Sequence, residues 1–304
     1  MKPYSYNQLK LSLSRYSFVF VLLLLLSGSV NCYSQIVKSK VIDKGGSGPY
    51  SAIAATEETL PNYVIYRPEN IMESTRKEGR LPVFIFANGG CNDTSITHEK
   101  VLSDIASYGY IVVALGALQD NLHDRELNKT DGTMILEAVD WLTEQNGSRK
   151  SDYYNSINLE KIATGGQSCG GCHVLSTADD PRVKTAIMYN SGIGDMSMAD
   201  ASTESLKNVS QPIIYIIGGE SDVAYANALK DYARLGKVPV AFANLLEGGH
   251  MGTFAEEYGG SFSDIALDWL DWQLKGHDDK ASVFLENDLS AYPGWTMEIK
   301  NFKK

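Results

Sequence analysis

The stretch Gly166-Gln167-Ser168-Cys169-Gly170 decides the fold prediction, because of what lies on either side of it. A short strand pattern at 161–164 comes directly before it, and a helical pattern at 172–177 follows. A serine at such a strand-to-helix turn is where a nucleophile elbow exposes its hydroxyl. The turn forces the serine into a strained backbone conformation, and a Cβ at either glycine would collide with it. An ordinary glycine turn into a helix remains the simpler interpretation of the motif alone.

On both sides of this turn, segments with strand character alternate with segments with helical character. This alternation predicts a mostly parallel sheet with helices on both faces. Several of the strands are continuous apolar runs, as expected for a buried parallel sheet. Eight strands are predicted, at 36–42, 63–66, 82–87, 110–115, 161–164, 183–189, 212–217 and 239–245. Helices are predicted at 97–108, 131–144, 172–177, 224–235 and 262–274.

The first 34 of the 304 residues have the composition of a secretory signal peptide. Three basic residues precede an apolar run at 18–26, and small and polar residues follow it. Cleavage after Ser34 is the preferred interpretation. Lipid attachment at Cys32 and an uncleaved N-terminal anchor are the alternatives. The sequence therefore predicts a secreted or periplasmic protein with no stable membrane span once the signal is cleaved.

Residues 35–304 are predicted to form a single α/β domain. No repeat and no linker rich in Pro, Gly or Ser divides them, and the stretch at 191–211 is too short for a large cap domain. The formal net charge of -10 argues against binding nucleic acid, which needs clustered Lys and Arg. After signal cleavage three cysteines remain, at Cys91, Cys169 and Cys172. This number is odd, so at least one thiol stays free or pairs outside the chain.

A serine hydroxyl needs a neighbouring base, and that base needs a carboxylate to hold it. In a fold that presents its serine on such an elbow, the acid and then the histidine follow the serine along the chain, which leaves His250 and His277. His250 lies in a glycine-rich loop after a predicted strand, whereas His277 lies in a charged segment and is expected to be solvated. His250 is therefore the predicted base, with a loop histidine held by backbone groups as the plain alternative.

Asp222 is the predicted acid, because it follows the strand predicted at 212–217. Asp195, in the loop after the preceding strand, is the competitor, and Glu220 is a third candidate. Asp222 or Ser221 could also simply cap the next helix. Capping and catalysis are compatible roles for Asp222.

Two backbone N–H groups are needed to stabilise the oxyanion of an acyl-transfer intermediate. The residue after the nucleophile, Cys169, would supply one. The other is expected from the loop Asn88-Gly89-Gly90-Cys91, with Cys91 as the preferred donor and Gly90 as the alternative. An ordinary turn at the end of a strand would have the same sequence features.

Together these motifs resemble the α/β-hydrolase superfamily, in the branch of dienelactone hydrolases, platelet-activating-factor acetylhydrolases and cutinase-like polyester hydrolases. The resemblance spans about residues 63–274 and rests on the order of elbow, acid loop and histidine loop. It implies a serine esterase that uses no cofactor and no metal. The expected substrate is a small-molecule or glycan-linked carboxylic ester with a small acyl or aryl group, or a polyester. Two departures from the family are Asn88 in place of a histidine and cysteine at both oxyanion positions.

The cysteines permit other interpretations. Cys169-Gly170-Gly171-Cys172-His173 matches the attachment motif of c-type haem, and its Cys-x-x-Cys part matches a thiol redox pair. A serine peptidase of the same fold is the alternative among hydrolases. If Cys91 and Cys169 both supply oxyanion donors, a disulfide from Cys91 to Cys169 or Cys172 would brace the hole.

Overall fold

The computed structural model describes residues 35–302, so the predicted leader with Cys32 lies outside the described residues. Ten strands form one sheet and two short strands form a hairpin. The strands are β1 (Ile36–Lys40), β2 (Ala52–Glu57), β3 (Leu60–Pro68), β4 (Leu81–Ala87), β5 (Ile111–Leu115), β6 (Ile157–Gln167), β7 (Val183–Tyr189), β8 (Ser197–Met198), β9 (Ala201–Ser202), β10 (Ile213–Ile217), β11 (Val240–Leu245) and β12 (Trp295–Lys300).

The order across the large sheet is β1-β2-β3-β5-β4-β6-β7-β10-β11-β12. Strands β5, β4, β6, β7, β10 and β11 run parallel, and antiparallel strands flank them at both ends. Ala87 pairs with Gly166, and Gln167 pairs with Tyr189. The loops that follow β4, β6 and β7 therefore leave the sheet side by side, at the edge where α/β sheets bind their ligands.

Helices cover both faces of the sheet. They are α1 (Ile71–Glu78), α2 (Glu99–Ser107), α3 (Thr133–Gly147), α4 (Cys169–Ser176), α5 (Tyr225–Arg234), α6 (Gly260–Leu270) and α7 (Ala281–Leu285). Alternate strand residues point to opposite faces. Ile85 and Val113 pack in one core with residues of α1, α3, α4 and α5, whereas Phe84 and Val112 pack in the other with residues of α2, α6 and α7.

The predicted architecture of a mostly parallel sheet between two helical layers is confirmed, but the predicted count of eight strands is wrong. The sheet has ten, because β2 and β12 were missed. Strand β2 is rich in alanine, which has low β propensity. Strand β12 is an edge strand in the C-terminal segment, where Trp295 packs against Phe262 with ring centroids 5.4 Å apart.

The helices also differ from the prediction, since α1 and α7 were missed and α4 begins earlier than predicted. Helix α1 was missed because it is mostly polar, although Asn70 caps its N-terminus through a bond from the Glu73 N–H and Gly79 follows its last residue. Helix α4 begins at Cys169 rather than at residue 172. The two glycines after Cys169 have low helix propensity, and tertiary packing overrides that preference.

The stretch at 191–211 holds only the β8–β9 hairpin and a short 3₁₀ helix, Thr203–Asn208. As predicted, no large cap is inserted between β7 and β10 in the described part of the chain. Among residues 35–302, no helix is both long and apolar enough to cross a bilayer.

His98 lies in the core behind the carboxyl ends of the strands. Its imidazole is buried between Phe86 and Phe254, with ring centroids 5.0 and 4.7 Å away, and its Nδ1 lies 3.1 Å from the Thr97 hydroxyl. Burial lowers the pKa of His98 to about 3, with a smaller opposing effect from Gln167. The imidazole is therefore neutral in the folded protein at any pH at which an exposed histidine titrates.

We expect His98→Phe to reduce the acid sensitivity of the fold. Between about pH 6.5 and 3 the unfolded chain binds a proton at residue 98 that the folded protein does not, so wild-type stability falls as the pH falls. From pH 6.5 to 4.5 the unfolding free energy of the variant should fall by about 2 kcal/mol less than that of the wild type. Urea unfolding at a series of pH values measures this. The exposed His123→Gln is the control, and an unchanged slope in His98→Phe would assign the acid sensitivity to other groups.

Candidate active site

Ser168 stands at the turn between β6 and α4, with a φ of 52° and a ψ of -119°. Its N–H donates to the Tyr189 carbonyl at 3.0 Å, and the residue is partly exposed. A positive φ is uncommon for a residue with a side chain and is tolerated where the surrounding structure holds it. The strained turn predicted for this serine is therefore present, and its side chain lies at the edge of the sheet where the loops converge.

The two glycines of the motif are required by close backbone approaches. A Cβ on Gly166 would lie 2.4 Å from the carbonyl carbon of Gly170. A Cβ on Gly170 would lie 2.1 Å from the carbonyl oxygen of Ala87. No side chain fits at such distances, so α4 can start directly behind the serine only if both positions are glycine.

Three side chains that the sequence analysis selected meet at this edge. The Nε2 atom of His250 lies 3.1 Å from the Oγ of Ser168, and its Nδ1 lies 2.7 Å from Oδ1 of Asp222. Asp222 lies in the loop after β10, and His250 lies in the loop after β11. The Asp222 side chain is fully buried, whereas 31% of the His250 side chain is exposed. The imidazole therefore connects a buried carboxylate to a hydroxyl that solvent can reach.

Asp222 is ionised although it is buried. Burial favours the neutral carboxyl, but hydrogen bonds from His250, the Ala224 N–H, Asn190 and the Gly218 N–H outweigh it and lower the pKa of Asp222. An ionised carboxylate can only accept hydrogen bonds. It therefore keeps the proton of His250 on Nδ1 and leaves the Nε2 lone pair facing Ser168.

The other candidates lie elsewhere. His277 is 3.5 Å from Oδ2 of Asp271 and has no contact with the serine. Asp195 binds Lys230 at 2.6 Å and also Arg234, and these two cations lower the pKa of its carboxyl to about 2. Glu220 is exposed to solvent. The structure thus brings together the preferred serine, acid and histidine and none of the alternatives.

Asn190 is a site residue that the sequence analysis missed. Its Nδ2 donates to Oδ2 of Asp222 at 2.7 Å and to the Gly249 carbonyl at 3.1 Å. It therefore ties the carboxylate to the loop that carries His250 without adding a charge. One signal was available, since Asn190 directly follows the strand predicted at 183–189, at the same sheet edge as Ser168.

Gln167, the residue before the serine, was also missed. It is buried, and its Nε2 donates to the carbonyl of His250 at 3.2 Å. A Cβ on Gly89 would lie 2.0 Å from its Oε1, so the side chain also lies against the loop after β4. Gln167 thus connects the histidine loop with the loop in which an oxyanion donor was predicted.

A disulfide joins Cys91 and Cys169, whose Cα atoms are 5.2 Å apart. It links the two residues whose N–H groups were predicted to bind the oxyanion. Of the two pairings expected for Cys91, with Cys169 or with Cys172, the structure has the first. Cys172 is a free, buried thiol, and burial raises its pKa to about 11. Cys169 is thus not paired with Cys172 as a thiol redox motif would require.

The disulfide closes a sequence separation of 78 residues, so removing it should weaken the fold. We expect Cys91→Ser combined with Cys169→Ser to lower the unfolding free energy by about 3 to 4 kcal/mol, since the unfolded chain is no longer constrained. Urea unfolding without reductant measures the loss. A reductant should destabilise the wild type by a similar amount and leave the double variant unchanged. A wild type that is insensitive to reductant would contradict this prediction.

A family model described as PET hydrolase-like matches residues 73–289, well over half of the chain. The chain belongs to the PET hydrolase-like family. This membership places it in the α/β-hydrolase superfamily, as the sequence motifs predicted, and makes it a hydrolase that acts on esters. The comparison with curated proteins found no match.

The PET hydrolase-like match covers the elbow, the acid loop and the histidine loop, and it includes both cysteines of the disulfide. Strands β1 to β3 and β12 lie outside the matched range. The family assignment and the cluster of Ser168, Asp222 and His250 therefore concern the same part of the molecule.

Proposed function

We propose that this chain is a secreted carboxylic ester hydrolase that acts through an acyl-enzyme on Ser168, with His250 as base and Asp222 as the carboxylate that holds the base. The observation that carries the proposal is the pair of contacts of His250, at 3.1 Å to the Ser168 hydroxyl and 2.7 Å to the Asp222 carboxylate. Such a chain of nucleophile, base and orienting group is what activates a serine.

In the first half of the reaction, His250 takes the proton of Ser168 as the Oγ attacks the ester carbonyl. The histidine then gives that proton to the departing alcohol, which leaves an acyl group on the serine. Asp222 keeps the imidazole in the right tautomer and stabilises its charged form. In the second half, His250 activates a water molecule, which attacks the acyl-serine and releases the acid.

The oxyanion formed in each half is assigned to the N–H groups of Cys91 and Cys169. Cys169 is the first residue of α4, where N–H groups have no intrahelical acceptor and the helix dipole favours negative charge. Cys91 lies beside it across the disulfide. Preorganised donors of this kind supply a large part of the rate of acyl transfer.

The proposed substrates are esters with small acyl or aryl groups, glycan-linked esters and polyesters. The partial exposure of Ser168 and His250 and the short loop at 191–211 support an open site that bulky substrates can reach. We further propose that residues 1–34 are a signal peptide and that residues 35–304 are the secreted domain. A disulfide at the site supports an oxidising compartment.

The other functions have less support. Covalent haem attachment would need Cys169 and Cys172 as thioethers and His173 as a ligand. Cys169 is instead in a disulfide, and the buried His173 lies 3.3 Å from the Thr130 hydroxyl. A serine peptidase would use the same three side chains, so only substrate preference separates it from an esterase.

The test is to compare p-nitrophenyl butyrate with the matching butyryl p-nitroanilide, and to measure soluble acids released from a polyester film. We expect rapid hydrolysis of the ester and slow or no hydrolysis of the amide. Faster cleavage of the amide would favour the peptidase. A folded protein that hydrolyses none of these compounds would contradict the proposal.

A further inference from the structure

The two candidate oxyanion donors belong to the peptide groups Gly90–Cys91 and Ser168–Cys169. No peptide bond in residues 35–302 is cis. In a trans peptide the C=O and the N–H point in opposite directions within one plane. Whatever binds the carbonyl oxygens of Gly90 and Ser168 therefore sets the direction of the two N–H groups.

Lys129 binds the first of these carbonyls. Its Nζ donates to the Gly90 oxygen at 2.7 Å and to Oδ1 of Asn92 at 2.9 Å. The backbones of Asn92 and Lys129 also form an isolated β-bridge, and the N–H of Thr130 donates to the Cys91 carbonyl at 2.9 Å. The segment that carries Lys129 is therefore attached to the oxyanion loop at both backbone and side chain.

The partners of the Lys129 ammonium group are neutral oxygens rather than a carboxylate. In the described part of the chain, no carboxylate oxygen lies within 4 Å of the Lys129 ammonium group, although the whole chain has a net charge of -10. Its charge is directed instead to neutral oxygens of the loop next to Ser168.

A cation bound to a peptide oxygen has two effects on the N–H of the same peptide. The charge-assisted hydrogen bond fixes the plane of the peptide, and it draws electron density toward the oxygen, which makes the N–H a stronger donor. A well-oriented, stronger N–H donor stabilises the transition state more than the ground state, because the negative charge develops there. The carbonyl of the second peptide, Ser168–Cys169, is bound by a neutral side chain instead of a cation. The Ser191 hydroxyl donates to the Ser168 carbonyl oxygen at 2.7 Å.

We propose that Lys129 is a positioning residue of the oxyanion hole, where it orients and polarises the Gly90–Cys91 peptide from the side opposite the substrate. The inference rests on the proposed function and deepens it. It also distinguishes the two donors considered for this loop, because the peptide that Lys129 binds carries the N–H of Cys91 and not that of Gly90.

The test compares Lys129→Met with Lys129→Arg, using p-nitrophenyl butyrate and an alkyl boronic acid, which forms a tetrahedral adduct with an active serine. We expect Lys129→Met to lower kcat about 5- to 20-fold, with KM within about twofold, because a donor is weakened rather than removed. Boronic acid affinity should weaken by a similar factor. Lys129→Arg should retain most of the activity, because it keeps the cation.

Lys77→Met, on the exposed face of α1, is the matched control and should behave as the wild type. Complete labelling of Lys129→Met by a fluorophosphonate would show that the serine site is intact, whereas absence of labelling in the wild type would instead reject the proposed function. Lys129→Gln replaces the Met variant if that variant does not fold. Unchanged kcat in the neutral variant, or a change in KM alone, would overturn the role of Lys129.

Discussion

Replacing Ser168 by alanine is expected to abolish ester hydrolysis, with kcat falling by about 10⁵- to 10⁶-fold. The variant has no hydroxyl for His250 to activate at 3.1 Å, and only the oxyanion donors and substrate binding remain. KM for p-nitrophenyl butyrate should change little, since the hydroxyl contributes to the reaction rather than to binding. Stopped assays with high enzyme concentration can measure the residual rate.

Ser176→Ala is the matched control for this experiment. Ser176 is the last residue of the same helix, and its hydroxyl donates to the His173 carbonyl at 2.8 Å. The control should keep wild-type kcat and show only a small change in stability. A Ser168→Ala variant that retained substantial turnover would reject this serine as the nucleophile.

Replacing Asp222 by asparagine is expected to lower kcat by about 10⁴-fold while leaving the fold intact. An amide in this position has no charge to stabilise the imidazolium, and its NH₂ group can turn toward His250 and force the wrong tautomer. Asp222 is fully buried and accepts a hydrogen bond from Asn190. The loss of its charge should therefore have a large effect on kcat, because solvent cannot replace that charge next to His250. Steady-state kinetics with p-nitrophenyl butyrate and a circular dichroism spectrum measure the two effects.

Asp195→Asn is the control, because Asp195 was the competing acid and lies in an exposed ion-pair cluster with Lys230 and Arg234. We expect its kcat to stay near the wild-type value. If Asp195→Asn lost activity and Asp222→Asn did not, the acid would come from the loop after β7. That result would reject Asp222 as the carboxylate that holds His250.

The sequence was sufficient to predict features that depend on local patterns. The elbow around Ser168 has its glycines, strand and helix within a few residues, so its backbone strain follows from the motif. Asp222 and His250 follow predicted strands that end at one edge of the sheet. The expected order of serine, acid and histidine along the chain limited the candidate bases to two histidines. The parallel strands were predicted because they are continuous apolar runs, which buried strands require.

Features that depend on distant contacts were not predicted. Lys129 lies in a long loop without a motif, and only the fold brings it to Gly90, 39 residues away in sequence. Gln167 and Asn190 act through bonds to carbonyl oxygens of the histidine loop. Hydrogen bonds of this kind leave no pattern in a single sequence, and only the position of Asn190 directly after a predicted strand was a signal. The pairing of Cys91 with Cys169 rather than Cys172 likewise depends on how α4 is placed against the loop after β4.

Locating the nucleophile chemically tests the role of Ser168 most directly. The wild-type protein would be treated with a fluorophosphonate, digested, and analysed by tandem mass spectrometry. We predict one phosphonylated residue, Ser168, and loss of the adduct in Ser168→Ala. An adduct on another residue, or no adduct on a folded protein, would contradict the assignment of Ser168, His250 and Asp222 as the catalytic group.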